Sequence, residues 1–269
     1  MSTSAQPAAA PRTAMVTGAT SGIGWETARL LAERGHMVIV HGPDTESAHH
    51  AVERLVAAGA DRARLRLAVA DFRRLAQVKA MASRLTAAHP VLDVLVNNAA
   101  VAAPEQHTLT EDGNELSFQV NFLAAYLLTR ELTGPLSARP GSRVVNVSST
   151  THRTASLAWT DLNRARRYSR FAAYAQSQLA LTVFAGAAAP DGCTVVSVDP
   201  GVSTTALLSP YAHEGEPPVD GAARVVRLCD PRTRLVPGAH YDADGPSTDG
   251  HGERTARRLC KAADLLVAV

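Results

Sequence analysis

Lysine is nearly absent: of the 27 Lys and Arg residues only Lys79 and Lys261 are lysine, so chemistry that needs an amine has two candidates. Cysteine is scarce as well. Cys193, Cys229 and Cys260 are odd in number, far apart and in no metal-ligand spacing, which argues against a disulfide framework. His49, His50 and the other histidines also lack a ligand framework, so no metal site is expected. No apolar run is long enough to span a bilayer, and residues 1–11, rich in Ala, Ser and Pro, lack both the basic start and the apolar stretch of a secretory signal. They read as a disordered leader on a cytoplasmic protein. A net charge of +2, with basic residues spread along the chain, lacks the blocks that would point to a nucleic acid or a membrane surface as partner.

What is present is an ordinary globular composition, 46% hydrophobic and 19% charged over 269 residues. Six short runs rich in β-branched residues, at 14–17, 37–40, 65–69, 92–96, 143–147 and 194–198, read as strands. Apolar residues at three- and four-residue spacing mark helices at 25–34, 46–58, 75–88, 116–132 and 172–188. Near-continuous apolar strands need both faces covered. Alternation with helices through right-handed crossovers therefore predicts an α/β fold, a doubly wound parallel sheet with helices on both faces. No boundary divides residues 12–269, which read as one Rossmann-type domain. The stretches 209–220 and 240–251 read as irregular surface, the first placed to act as a substrate lid.

The first strand runs into Thr17-Gly18-Ala19-Thr20-Ser21-Gly22-Ile23-Gly24 and then a helix. Glycines in that context permit a tight turn, let backbone N–H groups approach a pyrophosphate and let the helix pack close to the strand, with its N-terminus facing the anion. The strand before and the helix after make a dinucleotide cradle a better reading than a structural turn.

This turn resembles the cofactor fingerprint of the short-chain dehydrogenase/reductase family, and further blocks follow in order. Asp71 and Phe72, after the third strand, match the family's adenine contact, and Asn97-Asn98-Ala99-Ala100 matches its Asn-Asn-Ala-Gly, with Ala100 a mild departure. Asn121 matches the helix asparagine of the catalytic set. Val145-Asn146-Val147-Ser148-Ser149 matches the strand that delivers the catalytic serine, by position Ser149. Pro200-Gly201-Val202-Ser203-Thr204-Thr205 resembles the loop over the nicotinamide, with Thr205 a cofactor contact. The resemblance covers residues 13 to about 269. Thr110-Glu111-Asp112-Gly113, the insert before Tyr174 and the tail 256–260 look most like the retinol-dehydrogenase-like branch. It implies redox chemistry on a small-molecule alcohol or carbonyl substrate, NAD(P) as cofactor, and a homodimer or homotetramer.

The family's Tyr-x-x-x-Lys reads Tyr174-Ala175-Gln176-Ser177-Gln178 here, with Gln178 where the lysine stands and neither Lys79 nor Lys261 near in sequence. A four-residue step keeps both side chains on one helix face. An ammonium beside a phenol favours phenolate; a neutral amide binds a ribose hydroxyl without supplying that charge. Reduction of a carbonyl needs the neutral phenol and should suffer less than oxidation of an alcohol. The implied roles are Tyr174 as acid, Ser149 as hydrogen-bond donor to the substrate oxygen, Asn121 as organiser of a water chain and Gln178 as ribose anchor. His152 is either a substitute proton donor or a loop histidine, the second preferred. Arg164, Arg166, Arg167 and Arg170 read as a solvated helix face rather than a grip on an anionic substrate.

The second strand ends in His41-Gly42-Pro43-Asp44, with no acid at the strand end to hold the adenine ribose of NAD and proline in place of the usual arginine of NADP-binding relatives. The run favours NADP, with His41 or Arg12 as helpers. Three readings stay open: an NAD(P)H-dependent reductase, a non-redox dehydratase, isomerase or cyclase on the same scaffold, and a dinucleotide-binding protein without turnover.

Overall fold

The central strands are short and apolar enough to lie inside a sheet covered on both faces. The computed structural model describes residues 12–187, 189–205, 207, 214–247 and 252–268; the leader at 1–11 and part of the suggested lid fall outside them. Strand β1 (Thr13–Val16) leads through the glycine turn into α1 (Gly22–Glu33), followed by β2 (Met37–Gly42), α2 (Thr45–Ala57), β3 (Leu65–Val69), α3 (Leu75–Ala88) and β4 (Val94–Asn97). Helix α4 (Leu116–Phe118) passes through a π-helical turn (Gln119–Leu123) into α5 (Ala124–Glu131), where sequence periodicity predicts one plain helix. Then come α6 (Thr133–Ser137), β5 (Ser142–Val147), α7 (Arg170–Ala185), β6 (Cys193–Val198), α8 (Pro218–Cys229), β7 (His240–Asp242), β8 (Gly245–Ser247) and α9 (Glu253–Leu266).

The strands lie in the order β3-β2-β1-β4-β5-β6-β7-β8, parallel except for the final β7–β8 pair. Strand order reverses between β1 and β4, and a crevice opens there beyond the carboxyl ends of the strands. Alternate residues of each strand serve opposite faces. Leu95 and Val144 join α3, α5 and α7 in one core, while Val94, Val96 and Val145 join α1, α2 and α8 in the other.

Two expectations need correction. The stretch 240–251 is not wholly irregular: it holds β7 and β8, three residues each and too short for an alternation to show. The stretch 209–220 ends inside α8, which opens at Pro218, a residue suited to a first helical turn. Helix α9, unread from the sequence, packs on α5 and α7. Tyr126 of α5 lies buried beneath it and donates a hydrogen bond to Asp264 Oδ1 at 2.6 Å. Among the described residues no helix is long and apolar enough to cross a membrane.

Candidate active site

The glycine turn is built by positions where a side chain has no room. Gly18 has φ +62°, and a Cβ there would lie 2.7 Å from Ala99 Cα. A Cβ on Gly24 would overlap the carbonyl oxygen of Gly18 and the amide nitrogen of Asn98, with Gly18 C at 2.9 Å. The turn is tied to the end of β4 by Thr17, whose Oγ1 accepts from Asn98 N at 2.9 Å and Ala99 N at 3.0 Å. Asn98 Nδ2 donates back to Thr17 O at 2.9 Å. Ser21 begins α1 without a side-chain cap, so the first-turn N–H groups are left for a ligand in the cleft that Gly22, Ile23 and Gly24 line.

That cleft measures about 590 Å³. It collects Gly18, Thr20, Ser21, Gly22, Ile23, Gly24, Asp71, Phe72, Asn98, Ala99, Ala100 and Thr205 from segments up to 187 residues apart in order along the chain. An uncapped helix N-terminus, a turn with glycine at 18, 22 and 24 and a large hollow fit a dinucleotide. Arg73 lies on its wall and makes a forked ion pair with Asp71, the shortest contact 2.7 Å. Burial pushes the Asp71 carboxyl up, but the hydrogen bonds and charge of Arg73 outweigh it and hold the group below its ordinary value.

Neither suggested helper for a 2′-phosphate can serve as one. His41 is buried between the Gly18 N–H, which donates to its Nδ1 at 3.0 Å, and Ala70 O, 3.0 Å from its Nε2. Burial drives its pKa down to about 4, so the ring is neutral and its nitrogens are occupied. Arg12 precedes β1, at the amino-terminal ends of the strands and away from the cleft, where it donates to Gly141 O at 3.0 Å.

A second hollow of about 300 Å³ continues the cleft, sharing Ile23, Asn98, Ala100, Thr205 and Leu207 with it. Ser149, Tyr174, Gln178, Pro200, Gly201 and Val202 all line it. Tyr174 and Gln178, 8% and 1% exposed, sit one turn apart on α7, opened by Ser169, which accepts from Ala172 N. Adjacent serines divide the work: Ser148 Oγ donates to Gln178 O at 3.1 Å and ties β5 to α7, whereas Ser149 Oγ accepts the Thr151 N–H at 3.3 Å beside the hollow. Among the described residues lining this hollow there is no Lys, Arg or His, and Asp199 is the single carboxylate. Burial raises the Asp199 pKa, opposed by the Gly201 N–H that donates to its Oδ1 at 3.1 Å and by His152, Arg153 and Arg224.

Asn121 lines neither hollow. At the centre of the π-turn its side chain accepts from Val101 N at 2.8 Å and donates to Val101 O at 3.1 Å and Ser177 Oγ at 2.9 Å. Its amide thus braces the strand-end loop against α7. His152 is 1% exposed, its ring 4.4 Å from that of His240, and is packed beneath the turn after Ser149 rather than set in the hollow. The arginines at 164–167 occupy an irregular segment, not a helix face, and Arg170 pairs with Glu105 at the start of α7. Residues unread from the sequence are Phe171, Leu207 and Val147, which make the second hollow apolar, together with Asp199. The available signal was their place just past strand ends or beside Tyr174.

The chain matches the short chain dehydrogenase family over residues 12–215. It is 42% identical over 215 residues to the polyprenol dehydrogenase of Mus musculus, covering 76% of this chain and 62% of that protein. It is 37% identical over 201 residues to retinol dehydrogenase 13 of Mus musculus, covering 73% and 60%. These alignments span less than two thirds of either relative. Among solved structures, an uncharacterized protein from Mycobacterium Paratuberculosis superimposes with a TM-score of 0.78 at 29% identity, covering 97% of this chain and 94% of the other. The fold and the two joined hollows define a Rossmann-type dinucleotide-binding protein. The chain belongs to the short-chain dehydrogenase family.

Proposed function

We propose that the protein is an NAD(P)-dependent oxidoreductase of the carbonyl reductase and alcohol dehydrogenase type, biased toward reduction. The observation that carries this is the meeting of Tyr174, Ser149 and Gln178 in one hollow that opens into the dinucleotide cleft. When bound, the nicotinamide exchanges two electrons and a hydrogen nucleus with the substrate carbon. Tyr174 gives the substrate oxygen its proton in the reductive direction, and Ser149 Oγ hydrogen-bonds that oxygen as charge builds on it. Gln178, one turn from Tyr174, holds a ribose hydroxyl through its amide but brings no positive charge to stabilise a phenolate. Proton donation therefore proceeds from the neutral phenol, while alcohol oxidation lacks the group that would prepare its base.

The preferred cofactor is NADP. The end of β2 presents His41, Gly42 and Pro43, and the Asp44 carboxylate is engaged in capping α2, accepting from Ser47 N at 2.8 Å. Nearby cations are Arg73 on the cleft wall and Arg54, whose guanidinium stacks 4.4 Å from the Trp25 ring with Nη1 3.4 Å from Thr20 O. The relatives are named for polyprenol and retinol, and Ile23, Val147, Phe171, Val202 and Leu207 make the second hollow apolar. We therefore propose a lipophilic aldehyde or ketone as substrate. Self-association is proposed from the family resemblance, on a surface outside the part of α5 and α7 that α9 covers.

The test is titration of NADPH and NADH by calorimetry, followed by a carbonyl panel read at the nicotinamide absorbance band. Tyr174→Phe should abolish turnover while binding stays within about threefold. Gln178→Lys should accelerate oxidation more than reduction, by about tenfold or more, since one to three pKa units of phenol are at stake. Failure of every nucleotide to bind would refute the proposal; turnover without absorbance change would favour non-redox chemistry on the same residues.

A further inference from the structure

The charge of the nicotinamide end is lopsided. Of the described residues that line it, Asp199 is the one carboxylate, and the position one turn beyond Tyr174, where a cation would face it, holds the neutral Gln178. The surroundings reinforce the sign. On the other side of the same loop an open hollow shares Asp199 and adds Glu214 and Glu216 against Arg224. Arg224 is itself engaged, donating to Glu216 Oε2 at 2.7 Å and to Pro200 O at 2.6 Å. Arg153, which also acts on Asp199, is paired with Asp242.

The two redox forms of the nucleotide differ in one relevant respect: the oxidised nicotinamide ring carries a positive charge that the reduced ring lacks. A half-buried carboxylate on the wall attracts the first and is indifferent to the second, while a cation at position 178 would do the reverse. Resting on the reading that this hollow takes the nicotinamide, we infer that Asp199 and Gln178 together make the pocket selective for the oxidised over the reduced nucleotide, a specificity set by the charge of the ring. By thermodynamic linkage, a site that binds the oxidised form more tightly makes the bound reduced form a stronger electron donor. Asp199 is then a specificity residue. Its contact with Gly201 N positions the loop, and its charge weighs the two forms of the ring.

Asp199→Asn isolates the charge, because the amide oxygen keeps an acceptor for the Gly201 N–H. NADP+ and NADPH are titrated separately into the full chain at pH 8, followed by protein fluorescence, and the ratio of the two Kd values is compared between wild type and variant. The variant should weaken NADP+ about tenfold while NADPH changes less than twofold. That size corresponds to the screened attraction of two unit charges across a small pocket at an effective dielectric of about 20. Gln178→Lys, which adds a cation to the same hollow, should move the ratio the same way and stands in if Asp199→Asn does not fold. A ratio that stays within twofold in the folded variant, or two affinities that fall together, overturns the inference and leaves the oxidoreductase reading intact. Absence of binding by both forms to the wild type overturns both.

Discussion

Replacing Gly24 with alanine tests the cradle at its tightest point. The added Cβ meets Gly18 O and Gly18 C, which are backbone and cannot swing aside, and the amide of Asn98, which donates to Thr17 O at 2.9 Å and Gly18 O at 3.3 Å. Relief requires α1 to move away from the turn or Asn98 to release its bonds. Overpacking of this kind costs about 1–3 kcal/mol, and each lost hydrogen bond adds about 1 kcal/mol. The same movement carries the first-turn N–H groups of α1 off the cleft, so a nucleotide held there would lose its anion contacts as well. We expect Gly24→Ala to lower the urea midpoint by the equivalent of about 2–4 kcal/mol and to weaken NADPH at least tenfold in a calorimetric titration. A Gly24→Ala protein that binds NADPH within twofold of wild type would refute the assignment of this turn as the pyrophosphate site.

His41 should make the same region acid-sensitive. Its folded pKa of about 4 lies below the unfolded value of about 6.5, so the unfolded chain binds the proton first; the stabilising contribution is complete above about pH 6.5 and is lost as pH falls toward 4. The loss amounts to about 3 kcal/mol, and His41→Gln, though less stable at pH 8, should flatten the decline of urea midpoint between pH 6.5 and 4. Equal slopes in the two proteins would contradict the buried neutral ring. At α9, Tyr126→Phe removes a hydroxyl that donates to Asp264 at 2.6 Å and accepts from Arg130 Nη1 at 2.8 Å. A loss of about 1–2 kcal/mol is expected in chemical denaturation, and an unchanged midpoint would mean that α9 is not held there.

Much of the scaffold was legible because its signals are local. Helix α3 follows the periodicity of its sequence from Leu75 to Ala88, and the six longer strands show as apolar runs. The two missed strands have three residues each, and Gly245 and Pro246 in β8 carry turn chemistry rather than strand propensity. Helix α9 was obscured by its charge: it buries only Ala256, Leu259 and Ala263 along one stripe. The π-turn at 119–123 left no mark in the periodicity, since every residue in it is buried and the extra residue per turn is accommodated by packing on α7.

The site divides along the same physical line. A glycine turn between an apolar strand and a helix, and a tyrosine four residues before a glutamine, express their geometry within one or two turns of chain, so composition and spacing were enough to read a cradle and a shared helix face. What Ser148 is tied to, whether Asn121 faces solvent or Val101, and where Arg12 is anchored depend on residues from about 20 to 130 positions apart. Those distances are set by strand order and crossover direction, which no local period encodes. The lone carboxylate of Asp199 in the second hollow is of the second kind: its sequence neighbours mark a turn, and only the packing of β5, β6 and α7 brings it into one hollow with Gln178.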